Sequence, residues 1–462
     1  MLGSFRFSKF GKYFLLTNDA GRYVFLSKDE FNSFVSDNMD ANTDIFSVLE
    51  ERLFHYSESQ ETYIQKAINA VRENRAYIFS PTSLFIIAVT NQCNNRCVYC
   101  QAEGHAQAAI MSIDIADKIL ERIKETPNQS ITIEFQGGEP LLNQQAITYI
   151  VEQSKEVLKS KQVDYALVSN LSLLTEDMAD FIAANNISVS TSIDGPEELH
   201  NLNRPPKKGG SSYQSTLRGI DMLRCRGVDV SAIQTTTRAS LPYAKEIVDL
   251  YAALGFHSVF LRPLTRLGAA SEKWDEIGYT AEEFISFYRK GIEEIIELNK
   301  SGIDFYESHA AIFLSKILNG WSPNYMELRS PCGATIGQVA ITSNGDVYTC
   351  DEGRMLAEMG DDSFKVGNVN ITGYSDWVNS DVCKAVCSTS LLETLPGCSD
   401  CVYQPYCGVC PVINYALEGK LVSSRPYNDH CKIYRGMLDT LFFYILNGNE
   451  EIQTLFKKWA GM

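Results

Sequence analysis

The sequence predicts an α/β protein built around a partial barrel of six strand–helix units, (β/α)6, with a smaller unit on either side. Three observations predict this architecture. Apolar strand candidates alternate with amphipathic stretches between residues 81 and 310, a short hairpin and helical stretches precede them, and nine of the 13 cysteines lie between 332 and 431. Regular strand–helix alternation is typical of a parallel sheet, whose functional residues gather at the carboxyl ends of the strands.

Residues 1–80 are predicted to form a small α+β, winged-helix-like unit. Two apolar runs, KYFLLTND and RYVFLS, flank the turn signal Asn18-Asp19-Ala20-Gly21, which is typical of a β-hairpin. Apolar residues then recur at helical spacing in residues 30–39, 41–54 and 60–74. Two roles are compatible with such a module ahead of a barrel: holding a peptide along the edge of its sheet, or capping the barrel as a structural element.

Residues 81–310 are predicted to form the barrel. Its strand candidates are residues 83–89, 131–135, 165–169, 187–193, 228–234 and 257–262. The helical stretches between them are residues 112–125, 141–160, 175–186, 212–227 and 241–255, and a longer one, 281–302, closes or follows the barrel. Ser112 is the expected N-cap of the first of these helices. Six strands are too few for a complete eight-stranded barrel, so we expect a partial one.

Residues 311–462 contain few long periodic stretches, and the last clear helical pattern is at 434–448. Such a region needs another source of stability, and metal clusters bound by its cysteines would supply it.

The composition also limits the partners. Lys and Arg number 41 and Asp and Glu 57, so the net charge is −16. An acidic surface repels phosphate backbones and anionic lipid, so neither nucleic acid nor a membrane is expected as a partner.

The compartment follows from two further observations. No apolar run reaches 18 residues, and the first residues, MLGSFRFSKFGKYFLL, lack a signal-peptide pattern. We therefore expect a cytoplasmic protein whose thiols stay reduced. In such a compartment, clustered cysteines are metal ligands more often than disulfides.

Cys93, Cys97 and Cys100 have the spacing C-x3-C-x2-C and come directly after the first barrel strand. Three thiolates on a short loop can bind three irons of a [4Fe–4S] cube and leave the fourth iron open, unlike the four-cysteine runs of ferredoxins. An open iron in such a loop can bind a substrate or cofactor. A zinc site is the alternative interpretation of the same spacing.

Polar and glycine residues follow the next strands. They are Gly137, Gly138 and Glu139 after the second strand, Ser169 and Asn170 after the third, and Ser192 and Asp194 after the fourth. Together with the cysteine loop and with Tyr99 before its last cysteine, these motifs resemble the radical S-adenosylmethionine superfamily. In that resemblance, Gly137-Gly138-Glu139-Pro140 matches the GGEP element. The segment HNLNRP, residues 200–205, also resembles a recurring family segment, in which no role was predicted for Arg204.

The resemblance implies a chemistry and assigns residues to it. The open iron would chelate S-adenosylmethionine, and one electron from a donor such as flavodoxin or ferredoxin would cleave it to methionine and a 5′-deoxyadenosyl radical. Tyr99 would pack near the adenine, Glu139 would accept from the methionine amine, and the residues ending the third and fourth strands would contact ribose and carboxylate. A glycine such as Gly138 permits close backbone approach.

The cysteines of the last third have a second pattern. C-x2-C-x5-C-x2-C runs from Cys398 to Cys410, and Cys332, Gly345 and Cys350 precede it as C-x12-G-x4-C. This resembles the SPASM domain, with a final spacing of x2 instead of the usual x3. The resemblance implies two auxiliary [4Fe–4S] clusters, three in all with the first. The distal one would be held by Cys398, Cys401, Cys407 and Cys431, and the nearer one by Cys332, Cys350 and Cys410.

The nearer cluster then has three assigned ligands. Either its fourth iron is open, which we favour, or Cys383 or Cys387 completes it. A pair of zinc sites is the alternative for the whole region.

Asp351, next to Cys350, is a candidate general base for the loss of a substrate proton, and a turn-capping carboxylate is the structural alternative. Cys225 is predicted to be buried in a helix. His309 and His430 are predicted to be satisfied structural residues, and a role as ligands is the alternative.

SPASM extensions occur chiefly in enzymes that modify ribosomal peptides, so the resemblance implies a precursor peptide as substrate. The whole chain most resembles the maturases of His-Xaa-Ser repeat peptides. A crosslink, a thioether or an inverted α-centre is the expected product. Sulfatase-maturase-like oxidation of Cys or Ser to formylglycine is the first alternative. A non-enzymatic iron–sulfur electron carrier is the alternative from another class.

Overall fold

The computed structural model describes residues 1–101, 108–322, 325–424 and 428–462. The N-terminal unit is a three-stranded antiparallel sheet followed by helices. Its elements are β1 (Arg6–Phe10), β2 (Tyr13–Thr17), β3 (Tyr23–Ser27), α1 (Lys28–Val35), α2 (Asp44–Glu51) and α3 (Gln60–Asn74). The expected hairpin is β2–β3, and the structure adds β1, whose sequence RFSKF lacks the long apolar run that reveals a strand.

The six predicted barrel strands are all present and pair in parallel in chain order. They are β4 (Leu84–Thr90), β5 (Ser130–Gly137), β6 (Gln162–Val168), β7 (Ser188–Ser192), β8 (Val230–Thr235) and β9 (Ser258–Arg262). The helices of this region are α4 (Ile113–Glu125), α5 (Gln144–Val157), α6 (Glu176–Ala184), α7 (Glu197–Asn203), α8 (Ser212–Arg224), α9 (Ala244–Ala253), α10 (Ala269–Glu272), α11 (Trp274–Ile277) and α12 (Ala281–Lys300). The predicted cap is confirmed, since the Ser112 hydroxyl accepts from the Ile115 amide.

The remaining elements contain three further strands of the same sheet at one edge and a short one at the other. They are β10 (Tyr306–Glu307), α13 (Ser308–Leu314), β11 (Gln338–Ile341), β12 (Asp346–Tyr348), α14 (Asp351–Glu358), β13 (Lys365–Asn368), α15 (Tyr374–Val378), α16 (Asp381–Thr389), α17 (Pro411–Glu418), α18 (Asp429–Asn447) and α19 (Glu450–Trp459). The sheet order is β10-β9-β8-β7-β6-β5-β4-β11-β12-β13. Ten strands therefore form one sheet where the sequence indicated six.

The cysteine-rich region joins the barrel through the first strand. β11 pairs with β4 in parallel, Val339 opposite Phe85, and β12 and β13 follow antiparallel. β4 leads into the Cys93 loop. The two strands that pair with β4, namely β5 and β11, therefore fix the position at which this loop begins. Central strands buried on both sides form the main core, as expected for a parallel sheet.

The N-terminal sheet packs against the cysteine-rich region. The Thr17 hydroxyl donates to the Val402 carbonyl at 2.7 Å, and the Tyr406 hydroxyl donates to the Gly21 carbonyl at 3.0 Å. No helix among the described residues is long and apolar enough to cross a membrane.

Candidate functional site

The loop after β4 places Cys93, Cys97 and Cys100 on the wall of a cavity of about 620 Å³ at the carboxyl ends of the strands. The same cavity is lined by Tyr99 and, from the neighbouring strand ends, by Gly137, Gly138, Glu139, Ser169, Asn170 and Ser192. Residues far apart in sequence therefore share one cavity because parallel strands end at the same edge of the sheet.

The Gly137-Gly138-Glu139 segment is bound to the base of the cysteine loop. The Gly138 amide donates to the Thr90 carbonyl at 2.9 Å, and the Glu139 amide donates to the Gln92 carbonyl at 2.8 Å. A Cβ on Gly138 would lie 2.2 Å from the Gln92 oxygen, so no larger residue fits. The close approach that Gly138 permits is therefore, in this structure, an approach to the cysteine loop itself.

Glu139 is almost fully buried, and burial raises the pKa of its carboxyl group. The carboxylate accepts from the Ser169 hydroxyl at 2.6 Å, from the Asn170 amide at 2.9 Å and from the Leu141 amide at 3.1 Å. Three donors fix its orientation while it lines the cavity. The structure thus joins the motif after β5 to the motif after β6 through one carboxylate.

Asp194 has a different environment from the cavity-lining residues. Its side chain is fully buried, accepts from the Tyr99 hydroxyl at 2.6 Å, and lies 3.2 Å from Nε of Arg204. The Arg204 guanidinium also lies over the Tyr99 ring, 5.3 Å from its centre. These three side chains connect the cysteine loop to the end of β7, and Arg204, for which the sequence predicted no role, is one of the three.

The segment around Arg204 also binds the cysteine loop through its backbone. The Val98 amide donates to the Asn203 carbonyl at 2.8 Å, and the Lys207 amide donates to the Asn94 carbonyl at 2.9 Å. The HNLNRP segment therefore runs beside the loop that carries the three cysteines.

The three thiols suit the ligand set of an iron–sulfur cube. Burial raises the pKa of Cys93 to about 11 and that of Cys97 to about 12, so a metal must displace the thiol protons when it binds. Around one tetrahedral zinc, thiolates at ~2.3 Å from the metal lie about 3.8 Å apart. No three His, Cys, Asp or Glu side chains in the described ranges converge in that way. A cube binds each thiolate to a different iron and does not require that convergence.

The later cysteines fall into groups. Cys332, Cys350 and Cys410 share one buried apolar cluster with Val386, Leu356, Phe364 and Val412. Cys398 and Cys407 belong to a second cluster with Val409, and Cys401 interacts electrostatically with Cys431. The structure therefore brings Cys332, Cys350 and Cys410 together and places Cys398 beside Cys407. Burial raises the pKa of Cys350 and of Cys410 well above the ordinary thiol value.

Cys383 and Cys387 lie one turn apart on α16, the first buried and the second half-buried. Ser390, which caps that helix, accepts from the Cys332 amide at 3.0 Å. This contact places the helix directly against the group of Cys332.

Cys225, predicted to be buried, is exposed, because it lies at the C-terminal cap of α8 and beyond the face that packs on the sheet.

Asp351 lines the same cavity as the first cysteines. Its Oδ1 accepts from Nε of Arg354 at 2.8 Å and lies 2.7 Å from Nη2 of the same guanidinium. Neither sequence interpretation anticipated this pair. The neighbouring Glu352 also lines the cavity and makes no ion pair within the described ranges. The local pattern around Cys350 contained no signal for either arrangement, since both depend on how α14 packs.

Residues 87–260 match the family profile described as the Radical SAM superfamily. The matched residues span the strands from β4 to β9, so this part of the chain is a domain of the radical SAM type.

Two curated relatives illustrate the range of similarity. An uncharacterized protein of Methanocaldococcus jannaschii is 34% identical over 174 residues, which are 38% of this chain and 60% of that protein. The cysteine-type anaerobic sulfatase-maturating enzyme of Clostridium perfringens is 23% identical over 391 residues, covering 81% of this chain and all of the relative.

Solved structures extend the likeness in fold. The AdoMet-bound anSMEcpe structure has a TM-score of 0.68 at 20% identity and covers 82% of this chain and 98% of its own. Streptococcus suis SuiB bound to its precursor peptide SuiA has a TM-score of 0.57 at 14% identity, covering 93% of this chain and 99% of its own. At these identities the likeness shows the fold.

Proposed function

We propose that this protein is a radical S-adenosylmethionine maturase of a ribosomally made precursor peptide. The observation that carries the proposal is the cavity at the strand ends, where the thiols of Cys93, Cys97 and Cys100 lie beside Glu139 and the Ser169–Asn170 turn. The fold shared with a protein whose structure contains a precursor peptide supports a peptide substrate.

Cys93, Cys97 and Cys100 hold the first [4Fe–4S] cluster, which when reduced supplies the electron that cleaves S-adenosylmethionine. Gly137, Gly138 and Glu139 bind its methionine end, and Ser169, Asn170 and Ser192 bind the ribose and carboxylate. Tyr99 packs near the adenine. Asp194 acts indirectly, because its carboxylate is turned to Tyr99 and Arg204. Its task is to hold the cysteine loop in place.

Two auxiliary [4Fe–4S] clusters complete the set. Cys332, Cys350 and Cys410 hold the nearer one, and Cys398, Cys401, Cys407 and Cys431 the distal one. Asp351 takes the proton that the substrate loses. Its pairing with Arg354 keeps the carboxylate at the cavity wall, and a shift of that guanidinium would free it for the proton.

The division of labour follows the chain. Residues 1–80 recognise the peptide, 81–310 perform the radical chemistry, and 311–462 carry the auxiliary clusters. A reduced flavodoxin or ferredoxin in the cytoplasm supplies electrons. The apolar groove between α3 and the β2–β3 turn, lined by Leu53, Ile68 and Val71, suits a leader segment of the peptide.

A second candidate, oxidation of Cys or Ser to formylglycine, is favoured by the similarity to the sulfatase-maturating enzyme over its full length. The product separates the two. Formylglycine carries an aldehyde that reacts with hydrazides, whereas a crosslink, a thioether or an inverted α-centre does not.

The test is anaerobic reconstitution followed by reduction in the presence of S-adenosylmethionine. We expect 5′-deoxyadenosine, and with a co-expressed His-Xaa-Ser repeat precursor we expect a modified peptide by mass spectrometry. An inverted centre leaves the mass unchanged and is read by chiral amino-acid analysis. Failure to form 5′-deoxyadenosine would overturn the proposal, and cleavage without any peptide change would overturn the choice of substrate.

A further inference from the structure

A second cavity, of about 200 Å³, adjoins the site cavity. The two share Arg262, Tyr325, Glu327 and Glu352 in their walls. A group bound in the second cavity therefore lies next to the place where the reaction is proposed to occur. The walls come from distant parts of the chain, which include the end of β9, the start of α12, and helices α13, α14, α17 and α18.

His309 is the unusual member of this second cavity. Its side chain is 2% exposed, and neither ring nitrogen has a hydrogen-bond partner in the part of the chain that the structure describes. The sequence predicted a satisfied structural histidine, and this prediction was wrong. Burial lowers the pKa of His309 to about 3, so the ring is neutral and offers one donor and one acceptor.

Aromatic contacts hold the His309 ring in place. It stacks on Phe313 at 4.7 Å with an angle of 9° between the planes, and the edges of Tyr434 and Phe260 meet it at 89° and 82°. A buried polar group without a partner destabilises a protein, so a fixed, unpaired imidazole on a cavity wall indicates a ligand that pairs with it.

The charges of the cavity restrict that ligand. Four carboxylates line it against two guanidinium groups, among the described residues. Glu327 is satisfied by Arg262 at 3.3 Å and by the Tyr434 hydroxyl at 3.1 Å, so this arginine is not free for another anion. The other arginine, Arg266, lies over the Trp274 ring at 5.2 Å. An acidic side chain would meet a surplus of negative charge here.

We propose that this second cavity binds a polar, non-acidic side chain of the substrate peptide, next to the residue that reacts, and that His309 is its hydrogen-bonding partner. This inference rests on the proposed peptide-maturase function and deepens it. It makes His309 a residue that determines specificity and that touches the substrate without taking part in the radical chemistry.

The test is selection of a displayed library of randomised peptides on the full, cluster-loaded chain with S-adenosylmethionine present. The proteins compared are the wild type, His309→Phe, His309→Gln and the control His257→Phe, whose histidine is exposed. We expect the wild type and the control to enrich one position in Asn, Gln, Ser, Thr, His or Lys and to deplete it of Asp and Glu. His309→Phe should lower that enrichment about fivefold, the size of one lost hydrogen bond.

The outcomes separate the cavity from the function. His309→Gln keeps a donor and an acceptor, so it should retain the preference, and iron content and circular dichroism show whether each variant is folded. Three results would overturn the assignment to His309. The preference could survive in His309→Phe, it could be lost equally in a folded His309→Gln, or the wild type could select acidic or purely apolar residues. If the wild type enriches no peptide at all, the peptide-maturase function itself fails.

Discussion

The Tyr99 hydroxyl donates a 2.6 Å hydrogen bond to Oδ2 of Asp194, although 95 residues separate the two. Tyr99 belongs to the cysteine loop after β4 and Asp194 follows β7, so the bond joins the carboxyl ends of two strands that are not neighbours in the sheet. Arg204 completes the contact by lying against both partners. The geometry of the proposed cluster loop therefore depends on a buried polar network as well as on its own backbone.

Removing this hydroxyl with Tyr99→Phe should lower the free energy of unfolding by about 2 kcal/mol, since a hydrogen bond to a buried charged group is lost. Guanidinium denaturation of the apo chain measures the change. Tyr243→Phe, at an exposed tyrosine, is the matched control and should change little. Equal effects of the two substitutions would show that the network does not stabilise the loop.

The Cys93→Ala, Cys97→Ala, Cys100→Ala triple variant should retain about eight of about 12 iron atoms after anaerobic reconstitution, since one four-iron cube is lost. Formation of 5′-deoxyadenosine should cease. Iron analysis and chromatography measure the two effects, with Cys225→Ala as the control at an exposed cysteine. Continued cleavage in the triple variant would contradict the central assignment.

The nearer auxiliary cluster gives a prediction about α16. If its fourth iron is open, the Cys383→Ala, Cys387→Ala double variant should keep about 12 iron atoms and full turnover. Loss of about four iron atoms would instead show that one of them completes the cluster, and Cys225→Ala again serves as the control.

The N-terminal unit should bind the precursor peptide without performing chemistry. Deleting residues 1–80 should weaken peptide binding, while uncoupled 5′-deoxyadenosine formation persists. This deletion also removes contacts with the rest of the chain, such as the hydrogen bond from Thr17 to Val402. Ile68→Glu, in the groove beside α3, is the sharper variant. We expect at least a tenfold weaker Kd by fluorescence anisotropy, about 1.4 kcal/mol. Ile303→Glu, equally exposed elsewhere, should leave binding unchanged.

Acidification should destabilise the fold through His200. Burial lowers its pKa to about 4, and its Nδ1 accepts from the Asp194 amide at 3.3 Å. Between the ordinary value of 6.5 and about 4, the unfolded chain binds the proton and the folded chain does not, so stability falls as the pH falls. This stability is fully present above pH 6.5.

The loss approaches about 1.4 kcal/mol per pH unit for one histidine. His200→Asn keeps an acceptor but cannot be protonated, so its stability should fall less steeply than that of the wild type between pH 6.5 and 5. Denaturation curves across this range measure the difference. The exposed His257→Asn should follow the wild type, and parallel curves for all three proteins would refute the linkage.

Local patterns in the sequence determined much of this protein. Strand–helix alternation predicted β4 to β9 and their parallel order, because each strand carries its own apolar run. The cysteine spacing and the Gly137-Gly138-Glu139 segment predicted one cavity, because consecutive parallel strands end on the same side. Ser112 was predicted as a cap because capping depends on residues only three positions apart.

The tertiary structure decided what depends on distant neighbours. β11 joins β4 across more than two hundred residues, Asp194 turns to Tyr99 and Arg204, and Asp351 pairs with Arg354. Cys225 is exposed, and His309 is buried with no hydrogen-bond partner for its ring among the described residues, opposite to both expectations. The period of a helix shows which face is apolar, but burial and hydrogen-bond partners are set by what packs on that face, and those residues come from elsewhere in the chain.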